Sequence, residues 1–191
     1  MRSSWMALGV AWCLGILPVP AAAGLITNGG FETGDFTGWT LSGPGASEVT
    51  HYGVAQGTGQ SGAYGAWFGP VSGLVYISQV IPTIPTASYD LSGWLANVAG
   101  EIPVNTFEVW WNGVLLDSMH DDSSFSYSFG SFQVTATSSS TEVKLGFFNP
   151  PGYFQFDNVD VTAAIPEPAT VLFCGTGLLI LTLLLRRRTS G

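Results

Sequence analysis

Apolar and polar positions alternate strictly along several short runs of this chain. Over Ala87–Ala96, Tyr89, Leu91, Gly93 and Leu95 fall on one side and Asp90, Ser92 and Trp94 on the other. Over Thr106–Trp111, Phe107, Val109 and Trp111 oppose Glu108 and Trp110; over Thr141–Phe148, Val143, Leu145 and Phe147 oppose Glu142, Lys144 and Phe148. A period of two is that of a half-buried strand. No run between residues 24 and 165 carries a convincing helical period. Asn112-Gly113 separates Phe107–Trp111 from Val114–Met119, and an Asn-Gly pair supplies the two positive φ values of a type I′ turn, so a hairpin is expected there. Further strands are expected near 25–32, 36–42, 63–68, 73–81, 127–137 and 152–162. About nine or ten strands in this length suit two packed sheets, and the fold class is all-β: an antiparallel jelly-roll β-sandwich.

The two ends have a different grain. Residues 1–23 have a positive start at Arg2, an apolar middle from Met6 to Leu17, a Pro18-Val19-Pro20 break and the small residues Ala21, Ala22 and Ala23. This is the order of a secretory signal peptide; the competing reading, a first transmembrane helix, needs a longer apolar core. At the other end Pro166, Glu167 and Pro168 precede an uncharged apolar run, Ala169–Leu185, closed by Arg186, Arg187 and Arg188. Its 17 residues would span about 25 Å as a helix, slightly under a hydrocarbon core of about 30 Å. The three arginines favour the cytoplasmic side, so the body between is expected outside the membrane. A core helix rarely ends in three arginines at a chain terminus. Proline lacks an N–H and forces its predecessor toward an extended form, which keeps Pro166-Glu167-Pro168 accessible. The expected organisation is a signal peptide at 1–23, a β-sandwich domain at 24–165 and a sorting tail at 166–191 with its transmembrane helix at 169–185.

That tripartite tail resembles the PEP-CTERM sorting signal of Gram-negative bacteria that secrete exopolysaccharide. The resemblance covers the last 26 residues. It implies a membrane partner, an exosortase-like processing enzyme, that cuts near Pro166-Glu167-Pro168.

Composition narrows what the body can do. Cys13 and Cys174 both lie in the end segments, so an exported body would fold without disulfides. Lys144 is its only Lys or Arg against twelve acids, a net charge of −11. Nothing could neutralise phosphates, so nucleic acid is excluded as a partner. Hard cations such as Ca²⁺ are compatible with so many carboxylates. Most of the twelve acids read simply as a solvated surface.

A second resemblance covers the first and last strands. Leu25-Ile26-Thr27-Asn28-Gly29-Gly30-Phe31-Glu32-Thr33-Gly34, followed by Gly38-Trp39, is similar to the opening of galactose-binding-like jelly rolls and several carbohydrate-binding modules. Tyr153-Phe154-Gln155-Phe156-Asp157-Asn158-Val159-Asp160-Val161 resembles their closing strand, with Asn158 where a second Asp is usual. The resemblance implies a structural Ca²⁺ joining the two strands. Glu32 and Asp157 would be its carboxylate ligands, carbonyls near Asn28 and Gly30 would complete the shell, and Asp35 and Asp160 are weaker candidates. The alternative is that Glu32 satisfies N–H groups of the Thr33–Gly34 turn and Asp157 faces water.

Two other chemistries can be weighed. Trp39, Trp67, Trp94, Trp110 and Trp111 could supply flat faces for sugars. Trp94 and Trp110 lie on the polar-side register and are the best ligand-binding candidates, whereas Trp111 and Trp39 read as core. For catalysis, His120-Asp121-Asp122 is the one His–acid cluster. No Gly-x-Ser-x-Gly or His-Glu-x-x-His occurs, and His51 and His120 are too few for a three-histidine zinc site. The expectation is a non-enzymatic envelope or matrix protein that binds, or sits within, extracellular polysaccharide. The alternatives are a secreted glycan-active hydrolase using a carboxylate pair and a purely structural surface protein.

Overall fold

The computed structural model describes residues 24–98 and 104–164. Ten strands form two sheets. In chain order they are β1 (Thr40–Ser42), β2 (Tyr52–Gln56), β3 (Tyr64–Phe68), β4 (Val75–Pro82), β5 (Ser88–Val98), β6 (Thr106–Trp111), β7 (Val114–His120), β8 (Phe125–Thr135), β9 (Ser140–Phe148) and β10 (Tyr153–Ala163). One sheet has the order β1-β4-β9-β6-β7 and the other β2-β3-β10-β5-β8. Every pairing is antiparallel. The chain crosses repeatedly between the sheets, as in a jelly roll.

The period-two runs place their apolar sets inward as expected. Tyr89 and Leu91, Val109 and Trp111, and Val143, Leu145 and Phe147 are all buried. The Asn112-Gly113 turn joins β6 to β7 with φ of 48° and 79°, the left-handed pair a type I′ hairpin needs. Between the sheets, Phe68 of β3 stacks on Phe147 of β9, with centroids 4.0 Å apart and planes 7° off parallel. Phe107, Phe154 and Phe156 gather round Phe147 at 5.2, 6.3 and 5.4 Å. This seam ties one sheet to the other through ring faces and edges, on top of the area each ring buries.

Two strand expectations need correcting, and one strand was not foreseen. Residues 25–32 do not form a strand, and of 36–42 only Thr40–Ser42 does. The reason is visible in the backbone: Asn28 and Phe31 both hold φ of 54°, which ends any extended run. The segment still lies along the last strand, because Leu25 N–H donates to Val161 O at 2.9 Å and Val159 N–H to Gly29 O at 3.0 Å. It is also clamped to β4, since the Gln79 amide accepts from Thr27 N–H and donates to Thr27 O. Phe31 is fully buried and stacks on Trp39 at 5.9 Å. The unforeseen strand is β2, whose Tyr-Gly-Val-Ala-Gln has too little alternation to announce itself. The signal peptide and the sorting tail, including Pro166, Glu167, Pro168, residues 169–185, Arg186, Arg187 and Arg188, lie outside the described residues.

Candidate functional site

β10 bulges between Asp157 and Asp160, with Asn158 at φ 52°. Asn tolerates this left-handed conformation well. The bulge turns Asp157 and Asn158 together toward the loop that joins β2 to β3. Asp157, fully buried, accepts from Gln60 N–H at 2.8 Å and Ser61 N–H at 3.1 Å through Oδ2, and from Asn158 N–H at 2.8 Å through Oδ1. Asn158 Nδ2 donates to Ser61 Oγ at 2.9 Å. Glu32 reaches the same loop from the first segment: both its oxygens accept from Ala63 N–H at 3.0 Å, and Oε1 also accepts from Tyr64 N–H at 3.2 Å. A Cβ at Gly62, which sits at φ +70°, would collide with that carboxylate. Burial pushes the Asp157 carboxyl up; the amide donors oppose this, and the nearby Glu32 charge adds to it.

The sequence-predicted acid pair is therefore brought together, but on a peptide loop. The Glu32 partners are the amides of 63 and 64 rather than those of the Thr33–Gly34 turn, and Asp157 is buried rather than facing water. The Asn28 carbonyl already accepts from Trp39 Nε1 at 3.1 Å and Phe31 N–H at 3.2 Å, which fills both of its lone-pair directions. Gly30 does line the acid cluster: a Cβ there would stand 3.3 Å from Asn158 Oδ1 and 3.8 Å from Asp157 Oδ1. Two of the three atoms nearest that position are oxygens, the donor chemistry of a hard cation. Among the described residues no group of three or more His, Cys, Asp or Glu converges, so neutral oxygens would have to supply most of a shell. Asp35 instead accepts from Thr33 Oγ1 and Thr37 N–H; these bonds hold its carboxyl below the usual range. Asp160 accepts from Val161 N–H.

The stapled loop is tied through Tyr127 to a groove on the β2-β3-β10-β5-β8 sheet. Trp67, Gln155 and Ala96 lie abreast on β3, β10 and β5. Trp67 meets Tyr153 edge-on at 6.3 Å. Tyr127 of β8 leans back over the sheet and donates its hydroxyl to Thr58 O at 2.6 Å; burial first, then the Asp157 charge, push its pKa up. The groove, about 440 Å³, is lined by Ala96, Val98, Phe125, Tyr127 and Gln155 among others. Beyond Tyr127, Trp94 and Phe129 sit opposite each other with rings 5.3 Å apart, and Phe129 is 55% exposed. Trp67 and Trp94 are two strands and one alternation apart, about 12 Å. A separate space of about 260 Å³ opens between the sheets beside β7 and β8, lined by Leu91, Phe107, Val109, Leu145 and Phe132. Its polar lining comes from Ser92, Asp117 and Ser128.

Trp110 does not join Trp94. Each faces outward as its register predicts, but β5 and β6 belong to different sheets, so the two indoles are on opposite sides of the sandwich. Trp110 Nε1 donates to Glu108 at 2.8 Å, and Lys144 Nζ lies 4.7 Å from the Trp110 ring and 5.2 Å from Tyr76. Trp39 and Trp111 are core. Trp67 was among the tryptophans weighed but not preferred, and Tyr127, Phe129, Tyr153 and Gln155 were not named as ligand-binding candidates. The alternation of Tyr153, Gln155 and Asp157 against Phe154 and Phe156 was the available signal.

The His120 cluster is dispersed. The ring stands 2.6 Å from Ser118 Oγ, but its Nδ1 faces the Thr106 hydroxyl at 3.1 Å rather than a carboxylate that would orient it. Asp122 gives its main-chain oxygen to Asn97 and Asn105, a structural role.

No protein-family model and no curated protein matches the chain. Solved structures do. The carbohydrate-binding module TmCBM61, solved with β-1,4-galactotriose, is 17% identical with a TM-score of 0.55, over 75% of this chain and 100% of that one. The CBM22-1 xylan-binding domain from Paenibacillus barcinonensis Xyn10C is 16% identical with a TM-score of 0.53, over 78% and 100%. The K1 cleaved adhesin domain of Lys-gingipain from Porphyromonas gingivalis W83 is 11% identical with a TM-score of 0.57, over 71% and 96%. The shared property is the β-sandwich fold.

Asp157→Ala removes the acceptor of two loop amides and uncaps a third. It is expected to cost about 2–3 kcal/mol of stability, measured by urea unfolding, and to raise amide hydrogen exchange at Gln60 and Ser61. Unchanged exchange there would show that the loop does not depend on the carboxylate.

Proposed function

We propose that the body is a non-catalytic glycan-binding module, and that the outer face of the β2-β3-β10-β5-β8 sheet is its binding surface. The observation that carries this is the groove itself. Phe125, Tyr127 and Gln155 line it, Trp67 lies abreast of Gln155 on the next strand, and the Trp94–Phe129 pair continues the face beyond Tyr127. Pyranose rings present flat C–H faces to aromatics, and an amide can both donate to and accept from hydroxyls. Glycan recognition is named for two of the similar solved structures, which supports the reading by analogy of fold. The competing hydrolase would need a carboxylate pair free to exchange protons, whereas Glu32 and Asp157 are held by amides.

In pull-downs against a panel of insoluble polysaccharides, Trp67→Ala and Trp94→Ala are each expected to weaken binding about three- to ten-fold, the worth of one stacking contact. Trp110→Ala, on the far side, should leave it unchanged. Release of reducing sugar during incubation would overturn the non-enzymatic reading, and a loss confined to Trp110→Ala would move the surface to the other sheet.

We further propose that the body is exported and held outside the inner membrane by the 169–185 segment, then processed near Pro166-Glu167-Pro168 for display at the cell surface or in the matrix. The support is the order of charged, apolar and proline-bounded segments in the sequence. The mass of the mature protein from cells should lack residues 1–23 and end near Pro168; a full-length mass in the cytosol would end the proposal. The Ca²⁺ reading has its support in the oxygen corner beside Gly30, where Asp157 Oδ1 and Asn158 Oδ1 would hold the ion with Glu32 near. Chelation is then expected to lower the melting temperature by a few degrees, by mass action. An EDTA melt that coincides with the calcium melt removes the ion.

A further inference from the structure

The four sheet edges are not alike. β1 has three residues and β2 has five, too short for a long ladder. β7 carries Asp117, whose register opposite the buried Val109 turns it toward the space between the sheets. An inward-pointing charge is one way an edge is kept from pairing with another strand. β8 has no inward-pointing charge; its one irregularity is a bulge at Ser126–Tyr127, where its register with β5 shifts, and from Ser128 to Thr135 it runs regularly. It runs for 11 residues, contains no proline, and pairs only with β5 among the described residues. From Ser123 to Thr141 no side chain is charged, in a body with twelve acids and one lysine. The free side of such a strand presents N–H and C=O groups that template another strand.

We propose that β8 is a self-association edge, on which a second copy of this chain docks its own β8. The two strands would run antiparallel about a two-fold axis at Gly130, the midpoint of the strand, and join two five-stranded sheets into one. In that register Phe129 meets the second copy's Ser131 and Phe132 meets Ser128, within the regular part of the strand beyond its bulge. Each ring thus faces a small or polar side chain, and no charge faces its like. A two-fold interface must be self-complementary, and this strand is. A body of net charge −11 repels its own copy, so the contact falls where charge is absent. A Cβ at Gly130 would meet nothing within 4 Å, so a side chain can be introduced at the axis. The union sets two Trp94–Phe129 pairs on one continuous face. It stands whether or not that face binds glycan.

The test uses the full chain in detergent, with Cys13→Ser and Cys174→Ser so that only introduced thiols react. Sedimentation should give a dimer at micromolar concentration, and Ser131→Lys should return it to a monomer with the circular dichroism spectrum unchanged. Gly130→Cys should join two copies through a short bis-maleimide linker. A monomer throughout the micromolar range overturns the proposal. So does a dimer that survives Ser131→Lys and gives no cross-link at position 130, which is the pattern expected of association through the tail. Glycan pull-down of the Ser131→Lys monomer separates this outcome from any failure of the binding reading.

Discussion

This body has almost no cations with which to answer its own acids, and its loops are organised by that scarcity. Among the described residues the one close approach of a basic side chain to a carboxylate is His51 Nδ1 to Glu48, at 3.7 Å. Carboxylates turn instead to main-chain amides far along the chain. Glu32 holds the amides of 63 and 64, Asp157 those of 60 and 61, and Glu48 those of Val71 and Ser72. A hydrogen bond to an ionised acceptor is about twice as strong as a neutral one, and each of these also satisfies an N–H that a loop would otherwise leave to water. The acids therefore act as staples between distant segments. The β2–β3 loop, which accepts the Tyr127 hydroxyl beside the groove, is held by two of them, one before it and one far after it in the chain. The same arrangement lets a buried carboxylate, Asp157, lie near the exposed Glu32: amide dipoles offset part of their repulsion.

The staples work because the sandwich beneath them is rigid. Phe68 and Phe147 meet face to face across the two sheets, and Phe147 touches three further rings. Phe68 and Phe154 are near neighbours, on β3 and β10, of Trp67 and Gln155. Alternation thus sets each groove residue back to back with a buried phenylalanine. A ring fixed by close packing fixes the backbone that carries it, so the outward side chains of β3 and β10 inherit their spacing from the aromatic seam.

Much of this could be read from the sequence where a period of two was unbroken. Tyr89-x-Leu91, Phe107-x-Val109-x-Trp111 and Val143-x-Leu145-x-Phe147 gave face as well as element, and Asn112-Gly113 gave the hairpin. The first segment was legible in its partners but not in its conformation. Its apolar residues suggested a strand, whereas Asn28 and Phe31 take positive φ and tertiary bonds to Gln79 and β10 replace a ladder. The site was legible only residue by residue. Glu32 and Asp157 do meet, but nothing local to either announced that their partners would be the amides of residues 60–64. Trp94 and Trp110 had identical signatures, each on the polar register of its strand. Which sheet a strand joins depends on the global crossover pattern, and that pattern placed them on opposite sides.

Charge also bears on how such a module could act among polysaccharides. A uniformly acidic body stays apart from its copies and from acidic polymers at distances up to about a Debye length, about 10 Å at moderate ionic strength. Inside that range the distribution matters more than the total. On one side of the sandwich Lys144 is shared between Tyr76 and Trp110, with Glu108 bonded to both rings' polar atoms, so that face is internally satisfied. On the other side, the row from Trp67 through Gln155 to Ala96 and the Trp94–Phe129 pair bring rings and an amide to a surface from which the one buried acid, Asp157, is screened by its loop. A neutral sugar loses little on approaching such a face and gains stacking contacts, whereas a uronate would meet no free cation there. The staples that substitute for basic residues therefore leave no free side-chain cation beside the groove among the described residues, which on the glycan-binding proposal would favour a neutral sugar.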